Sequence, residues 1–455
     1  MRLPHPLRLP RALTVALPPA VLCASALLGL ARGASADEIR YTDPKKCEPA
    51  VLQVAEITEE TWTTIAYKAK AKGPIERMEM RLVTDVRRSA EDAQTKAFAA
   101  AVTELQNGSL TSARTTFGSV AGGGLVQDGE SGKLVFKPFP SAEGGKAKWY
   151  ADYAQYHYAY CLVREGLAKD DATLLDAALK VLDGDGAAEK GFLARYKEGK
   201  SRWYADALLL RAQALLGLKK YDDSAAAFDA LYEKAIRNPI GVRFAYEAKL
   251  GPGRVAEAKG STTDAGMAYD AASAALQSLF DQATDPCSRR DLGRLYNEAR
   301  MQRARVMLEA AQKTEAPSDY AELRKYLEAG KPEALRMKFA GKPAEVIDAV
   351  VAGALAPTVQ AVAQTGIGLA YLNEKKYPEA VYALTNVRIK YFAVGEAVPR
   401  ALYYLGEAAD AAAEAAQRPD AKSLYKAQAD AARAELARSW SASPWASKPP
   451  RPPRK

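Results

Sequence analysis

Histidine and cysteine set the first limits on what chemistry this chain can do. Of two histidines, His5 lies in a basic leader, which leaves His157 for the rest of the 455 residues. A site needing two histidines for a metal cannot be built from one, and no CxxC or Cys/His cluster accompanies it. A Ser-His-Asp or Cys-His arrangement would have to use His157, which stands between Tyr156 and Tyr158 in a helical pattern, and no nucleophile elbow occurs anywhere. Gly122 to Gly132 followed by Lys133 has the composition of a phosphate loop, but Leu134 stands where Ser or Thr must be. Asp183-Gly184-Asp185-Gly186 lacks the later oxygen ligands of a calcium loop, since Ala187 and Ala188 follow, and suits a helix end. Glu59-Glu60 and Asp222-Asp223 could do acid/base work only if carboxyls faced each other across a cleft with split ionisation. Asp222-Asp223 also suits a helix N-terminus, where negative charge meets the dipole. No catalytic residue, cofactor or metal site is expected.

Residues 1–36 combine Arg2, Arg8 and Arg11, an apolar stretch from Ala12 to Leu30, and Ala34-Ser35-Ala36 before Asp37. This is the pattern of a signal peptide cut after Ala36, and it points to the periplasm or cell envelope. Cys23 offers a lipoprotein alternative, disfavoured by the large Leu22 before it. Without the four arginines of that segment the net charge falls from +9 to +5, and Lys448, Arg451, Arg454 and Lys455 supply most of the remainder. The body is therefore close to neutral, which argues against nucleic acid as a partner. The 441–455 tail, rich in Pro and basic residues, is expected to be disordered and able to touch an anionic envelope polymer. Cys47, Cys161 and Cys287 are odd in number, so one must stay free or pair between chains. No later apolar run reaches the roughly 18 residues of a spanning helix.

The elements that would position any site fall into two kinds. Residues 37–88 read as a small β module of three strands, at Val51–Ile57, Thr61–Tyr67 and Met78–Leu82, with a turn at Gly73-Pro74. From 89 to 440 the chain is Ala-rich with helical period, interrupted by a Gly-rich insertion at 121–145 that holds a possible strand at Leu134-Val135-Phe136. Trp149, Tyr153, Tyr156 and Tyr160 share one helical face, as core or as a stacking groove.

A phrase recurs in this part. Lys219-Lys220-Tyr221 with Ser224, Phe228 and Leu231 matches Lys375-Lys376-Tyr377 with Ala380, Leu384 and Val387, each nine residues after a small residue, Ala212 or Gly368. Ala101 with Ala113 and Gly253 with Ala265 repeat the offset. Such units resemble the tetratricopeptide repeat, in which small residues let paired helices approach closely and an aromatic residue plugs the turn. The first and third units depart from the aromatic preference, with Leu110 and Thr262 in place of Tyr221 and Tyr377. The expected fold is mainly α: an extended solenoid of six to seven helix pairs behind the β module. The resemblance implies a non-enzymatic scaffold that binds a protein or extended peptide along a concave groove on the first helices, at Asp206, Leu209, Gln213, Thr365, Leu369 and Asn373. The alternatives are a carbohydrate-active or other envelope enzyme with a helical body, or a structural part of a surface assembly.

Overall fold

The computed structural model describes residues 37–449 apart from 89–92, 128–133, 138, 140–149, 186–190, 198–199, 239–241, 284 and 396. The leader and residues 450–455 lie outside the described residues, as do Trp149 and Lys133. The chain divides into two compact units, the first ending at Gly251 and the second beginning at Pro252.

The first unit opens with six strands where three are expected: β1 (Asp37–Thr42), β2 (Pro49–Val54), β3 (Glu56–Glu60), β4 (Thr64–Lys68), β5 (Ile75–Glu79) and β6 (Val83–Arg87). They form two antiparallel three-stranded sheets, ordered β2-β1-β6 and β3-β4-β5. The apolar run Val51–Ile57 is not one strand, because the chain bends at Ala55 and changes sheets there. A single 3-10 turn at Met80–Leu82 likewise separates β5 from β6. Ile39, Val54, Ile57, Ile65, Tyr67 and Val86 point inward from both sheets and make one small core.

Helices follow: α1 (Ala93–Gln106), α2 (Leu110–Ala121), then a hairpin of β7 (Gly124–Gln127) and β8 (Leu134–Lys137), then α3 (Tyr150–Lys169), α4 (Ala172–Asp183), α5 (Phe192–Arg195), α6 (Tyr204–Gly217) and α7 (Tyr221–Arg237). β8 is the strand expected inside the insertion, and β7 pairs with it. The hairpin is fixed to α3, where the Leu125 N–H donates to the Tyr158 hydroxyl at 2.6 Å. Gly124 makes this possible: at φ +114° a side chain there would be strained, and its Cβ would lie 2.5 Å from the Tyr158 ring. α8 (Val242–Ala258) runs on through Pro252, which lies inside the helix.

The second unit continues with α9 (Thr262–Gln282), α10 (Pro286–Thr314), α11 (Pro317–Glu328), α12 (Pro332–Lys338), α13 (Ala344–Ala354), α14 (Pro357–Asn373), α15 (Tyr377–Lys390), α16 (Ala397–Ala415) and α17 (Pro419–Ser439). Residues 330–357 hold α12 and α13. α13 approaches α10 backbone to backbone: a Cβ on Gly293 would lie 2.4 Å from the Ala349 carbonyl oxygen, and one on Gly353 2.5 Å from that of Gly293. Asn297 Nδ2 crosses the same contact to the Val350 carbonyl at 2.9 Å.

One turn geometry recurs. In α1–α2, α3–α4, α6–α7, α8–α9 and α14–α15, the residue two places before the second helix has left-handed φ: Gly108 80°, Asp170 53°, Lys219 61°, Gly260 82° and Lys375 61°. The next N–H returns to a carbonyl five residues back in every case, Ser109 to Glu104, Asp171 to Gly166, Lys220 to Leu215, Ser261 to Ala256 and Lys376 to Tyr371, at 2.9–3.0 Å. This is a Schellman closure, which satisfies the last carbonyls of one helix while aiming the chain into the next. Glycine at two of the five positions shows what the backbone prefers. Lys219→Gly and Lys375→Gly are each expected to raise stability by up to about 1 kcal/mol by relieving left-handed strain, read as the shift in a urea midpoint. Unchanged or lower midpoints would show that the lysines carry no such cost.

The close-contact positions are packed as their size requires. Ala101, Ala113, Ala212, Ala265 and Ala380 are fully buried, and the Ser224 hydroxyl, also buried, donates to the Ala212 carbonyl at 2.9 Å. A Cβ on Gly253 would lie 2.4 Å from the Tyr269 ring, and one on Gly368 2.6 Å from Leu384. Phe228 is wholly buried, whereas Tyr221 and Tyr377 are half-buried at the start of their helices.

The tail differs from expectation. Trp445 packs on α16 with its ring 5.5 Å from those of Tyr403 and Tyr404. The Tyr403 hydroxyl donates to the Pro449 carbonyl at 2.8 Å, and the Lys448 ammonium sits 3.8 Å over the Trp445 ring. Aromatic burial orders residues 441–449 where composition alone favours disorder.

Candidate functional site

A buried polar cluster of the first unit gathers where Ser201, Arg202 and Trp203 lead into α6. Ser201 is buried, donates its hydroxyl to Asp152 Oδ2 at 2.8 Å and accepts the Trp203 backbone N–H at 3.2 Å. These bonds hold the Trp203 ring flat on Tyr156, with centroids 4.4 Å apart and planes 9° apart. Its other neighbours meet it edge-on, Tyr153 at 5.4 Å and His157 at 4.9 Å. The Arg202 guanidinium lies 4.5 Å from the Trp203 ring and 5.7 Å from that of Tyr153. Of the aromatic stripe on α3, Tyr153 and Tyr156 are therefore core, while Tyr160 remains half-exposed.

Charges reach this cluster from the β module. Glu60 accepts the Tyr153 hydroxyl and the Arg88 guanidinium, with Arg88 Nε at 3.1 Å. Arg88 also bonds the Ile57 carbonyl at 3.1 Å and lies 3.6 Å from Asp37. Arg202 Nη1 and Trp203 Nε1 are buried donors with no acceptor among the described residues.

Burial dominates the ionisation of the site. It pushes Asp152 up to about 7, with the charge of Glu60 adding to the effect and the Ser201 hydrogen bond opposing it. It pushes His157 down to about 3, helped by Arg202, so the imidazole is neutral and stacks on Phe117 at 5.1 Å. Asp206 is raised by burial, against the pull of Arg243, which lies 3.8 Å away.

A carboxyl whose folded pKa is raised contributes stability that declines as pH climbs from the unfolded pKa through the folded one, here between about 4 and 7. Asp152→Asn keeps an acceptor for Ser201 and removes that loss. It is expected to raise the unfolding midpoint at pH 8 and leave it unchanged at pH 3.5. An equal effect at both pH values would exclude titration of Asp152 as the cause.

The residues expected to line a groove separate here. Asp206 on α6 lies within electrostatic reach of Tyr156 and Tyr160 of α3 and beside Arg243 of α8, and Gln213 is half-exposed. Leu209 is buried and packs with Ala212, Leu215, Phe228 and Ala248. Thr365 and Leu369 are buried as well, with the Thr365 hydroxyl turned back onto the Ala361 carbonyl at 2.7 Å. Asn373 is half-exposed, and its amide bonds the Leu369 carbonyl at 2.7 Å. Leu209, Thr365 and Leu369 are thus removed from any solvent-facing groove, because α6 and α14 are apolar on more than one side and are buried accordingly. Arg202, Arg243 and Arg88 went unmarked by sequence, since Tyr153, Asp206 and Glu60, which they meet, are distant in the chain.

Among the described residues no group of three or more His, Cys, Asp and Glu is placed to hold a metal ion, and no single helix is long and apolar enough to cross a membrane. Cys161 is a buried free thiol pushed up to about 12, whereas Cys47 and Cys287 are disulfide-bonded. No family model matches the chain, and no curated protein matches it.

Proposed function

We propose that the chain is an exported, non-enzymatic scaffold of the tetratricopeptide type that acts in the bacterial periplasm or cell envelope and binds a protein or extended peptide along the leading helices of its repeats. The carrying observation is the convergence of Tyr160 of α3, Asp206 of α6 and Arg243 of α8, all at least partly exposed, on the first helices of consecutive pairs. The shared turn supports the repeat assignment. The leader sequence, together with oxidised Cys47 and Cys287, supports export, since disulfides persist outside the reducing cytosol. A partner laid along such a surface would gain affinity from several modest contacts.

The test is affinity capture from envelope extract with the wild-type chain and with an Asp206→Arg, Arg243→Glu variant of unchanged unfolding midpoint. Partners retained by the wild type are expected to be lost by the variant. Identical recovery by both would remove the groove.

A second reading, a carbohydrate-active enzyme, rests on Asp152, raised to about 7, lying near the ion-paired Glu60 among aromatic rings. Release of reducing sugar from envelope polysaccharide, abolished in Asp152→Asn, would favour it over the scaffold.

A further inference from the structure

We infer that the outer face of α15 is a self-association surface on which a second copy of this chain packs antiparallel. Tyr382 is 70% exposed and Ile389 65%, both on one side of the helix, and Phe392 just past its end is 72% exposed. The molecule contains its own control. α7 is the counterpart of α15 in the repeat, offset by 156 residues from Tyr221 to Tyr377, and its equivalents of Tyr382 and Ile389 are Ala226 and Glu233, likewise exposed. The fold therefore does not require large apolar groups at these places; α15 carries them where its sister helix carries small or charged ones. Ile236, the equivalent of Phe392, is apolar and exposed in both, so the distinguishing pair is Tyr382 and Ile389.

Charge selects the occupant. Glu379 near the start of α15 and Lys390 at its end are exposed on the flank of the same face, eleven residues apart. Helical geometry places Glu379, Tyr382, Asn386, Ile389 and Lys390 within about one side of the cylinder. When two such helices run antiparallel about a twofold axis, Glu379 of each copy meets Lys390 of the other, and the Tyr382 and Ile389 stripes lie against each other between these pairs. A self-complementary patch of this kind is what a twofold interface needs.

Sedimentation velocity of the purified chain over a micromolar concentration series tests this. A monomer–dimer equilibrium is expected. Ile389→Glu, which copies the residue at Glu233, should weaken it about a hundredfold by placing carboxylates in an apolar contact. Glu379→Lys or Lys390→Glu alone should weaken it about two- to fivefold, and the two together should restore it. Circular dichroism and the unfolding midpoint confirm that each variant is folded, as expected for substitutions at exposed positions, of which Ile389→Glu copies the residue α7 carries at Glu233. A wild-type monomer throughout the series, or a dimer indifferent to Ile389→Glu, would overturn the assignment.

Discussion

Phe228→Ala is expected to lower the unfolding free energy by about 3–5 kcal/mol, the range for emptying a buried aromatic site, measured by urea titration. The ring is wholly enclosed and lies against Gly251 so closely that a Cβ there would stand 2.1 Å from Phe228 Cγ. Gly251→Ala alone should therefore cost about 1–3 kcal/mol by overpacking. In the Phe228→Ala background the same methyl enters an empty space, and its cost should vanish or change sign. This non-additivity follows from a shared volume. Simple addition of the two effects would show that ring and glycine are not packed as described.

The second large effect is electrostatic. Arg88 is nearly enclosed, its side chain 11% exposed, and it serves both Glu60 at 8% and Asp37 at 12%. Arg88→Leu would take from two shielded carboxylates the guanidinium they share, and the expected loss is about 3–5 kcal/mol. Tyr153→Phe removes one neutral donor from Glu60 and should cost nearer 1 kcal/mol. Because Arg88 ends the β module and Tyr153 lies on α3, near-UV circular dichroism should report the change in aromatic packing as well. A loss below about 1 kcal/mol for Arg88→Leu would mean that water replaces the guanidinium at little cost.

Sequence carried the helical architecture further than it carried the site. Offsets between small and large residues, such as Ala212 to Ser224 and Gly368 to Ala380, encode a local contact within one helix pair, so spacing alone reveals it. The strands were harder. β1 offers only Ile39 and Tyr41 as an apolar face, and the corner at Ala55 cuts an apolar run that composition presents as continuous. The close approach of α13 to α10 rests on Gly293 and Gly353, which propensity counts as helix breakers, so spacing within either helix does not reveal it. The groove expectation failed at Leu209, Thr365 and Leu369 because facing follows from how many neighbours a helix has, and one pair's sequence does not record that. Arg202 and Trp203 become notable only once Asp152 and Tyr156 are brought beside them by the fold.

The anchored Trp445 decides how the basic C-terminus can be studied. A deletion beginning at Ser441 would take away an aromatic plug as well as the positive charges, exposing Tyr403 and Tyr404, so any loss of polymer retention would be confounded by damage to the final helical hairpin. A cut after Pro449 keeps the plug and its bond to Tyr403 while removing Arg451, Arg454 and Lys455, and thereby isolates electrostatic tethering from structural integrity.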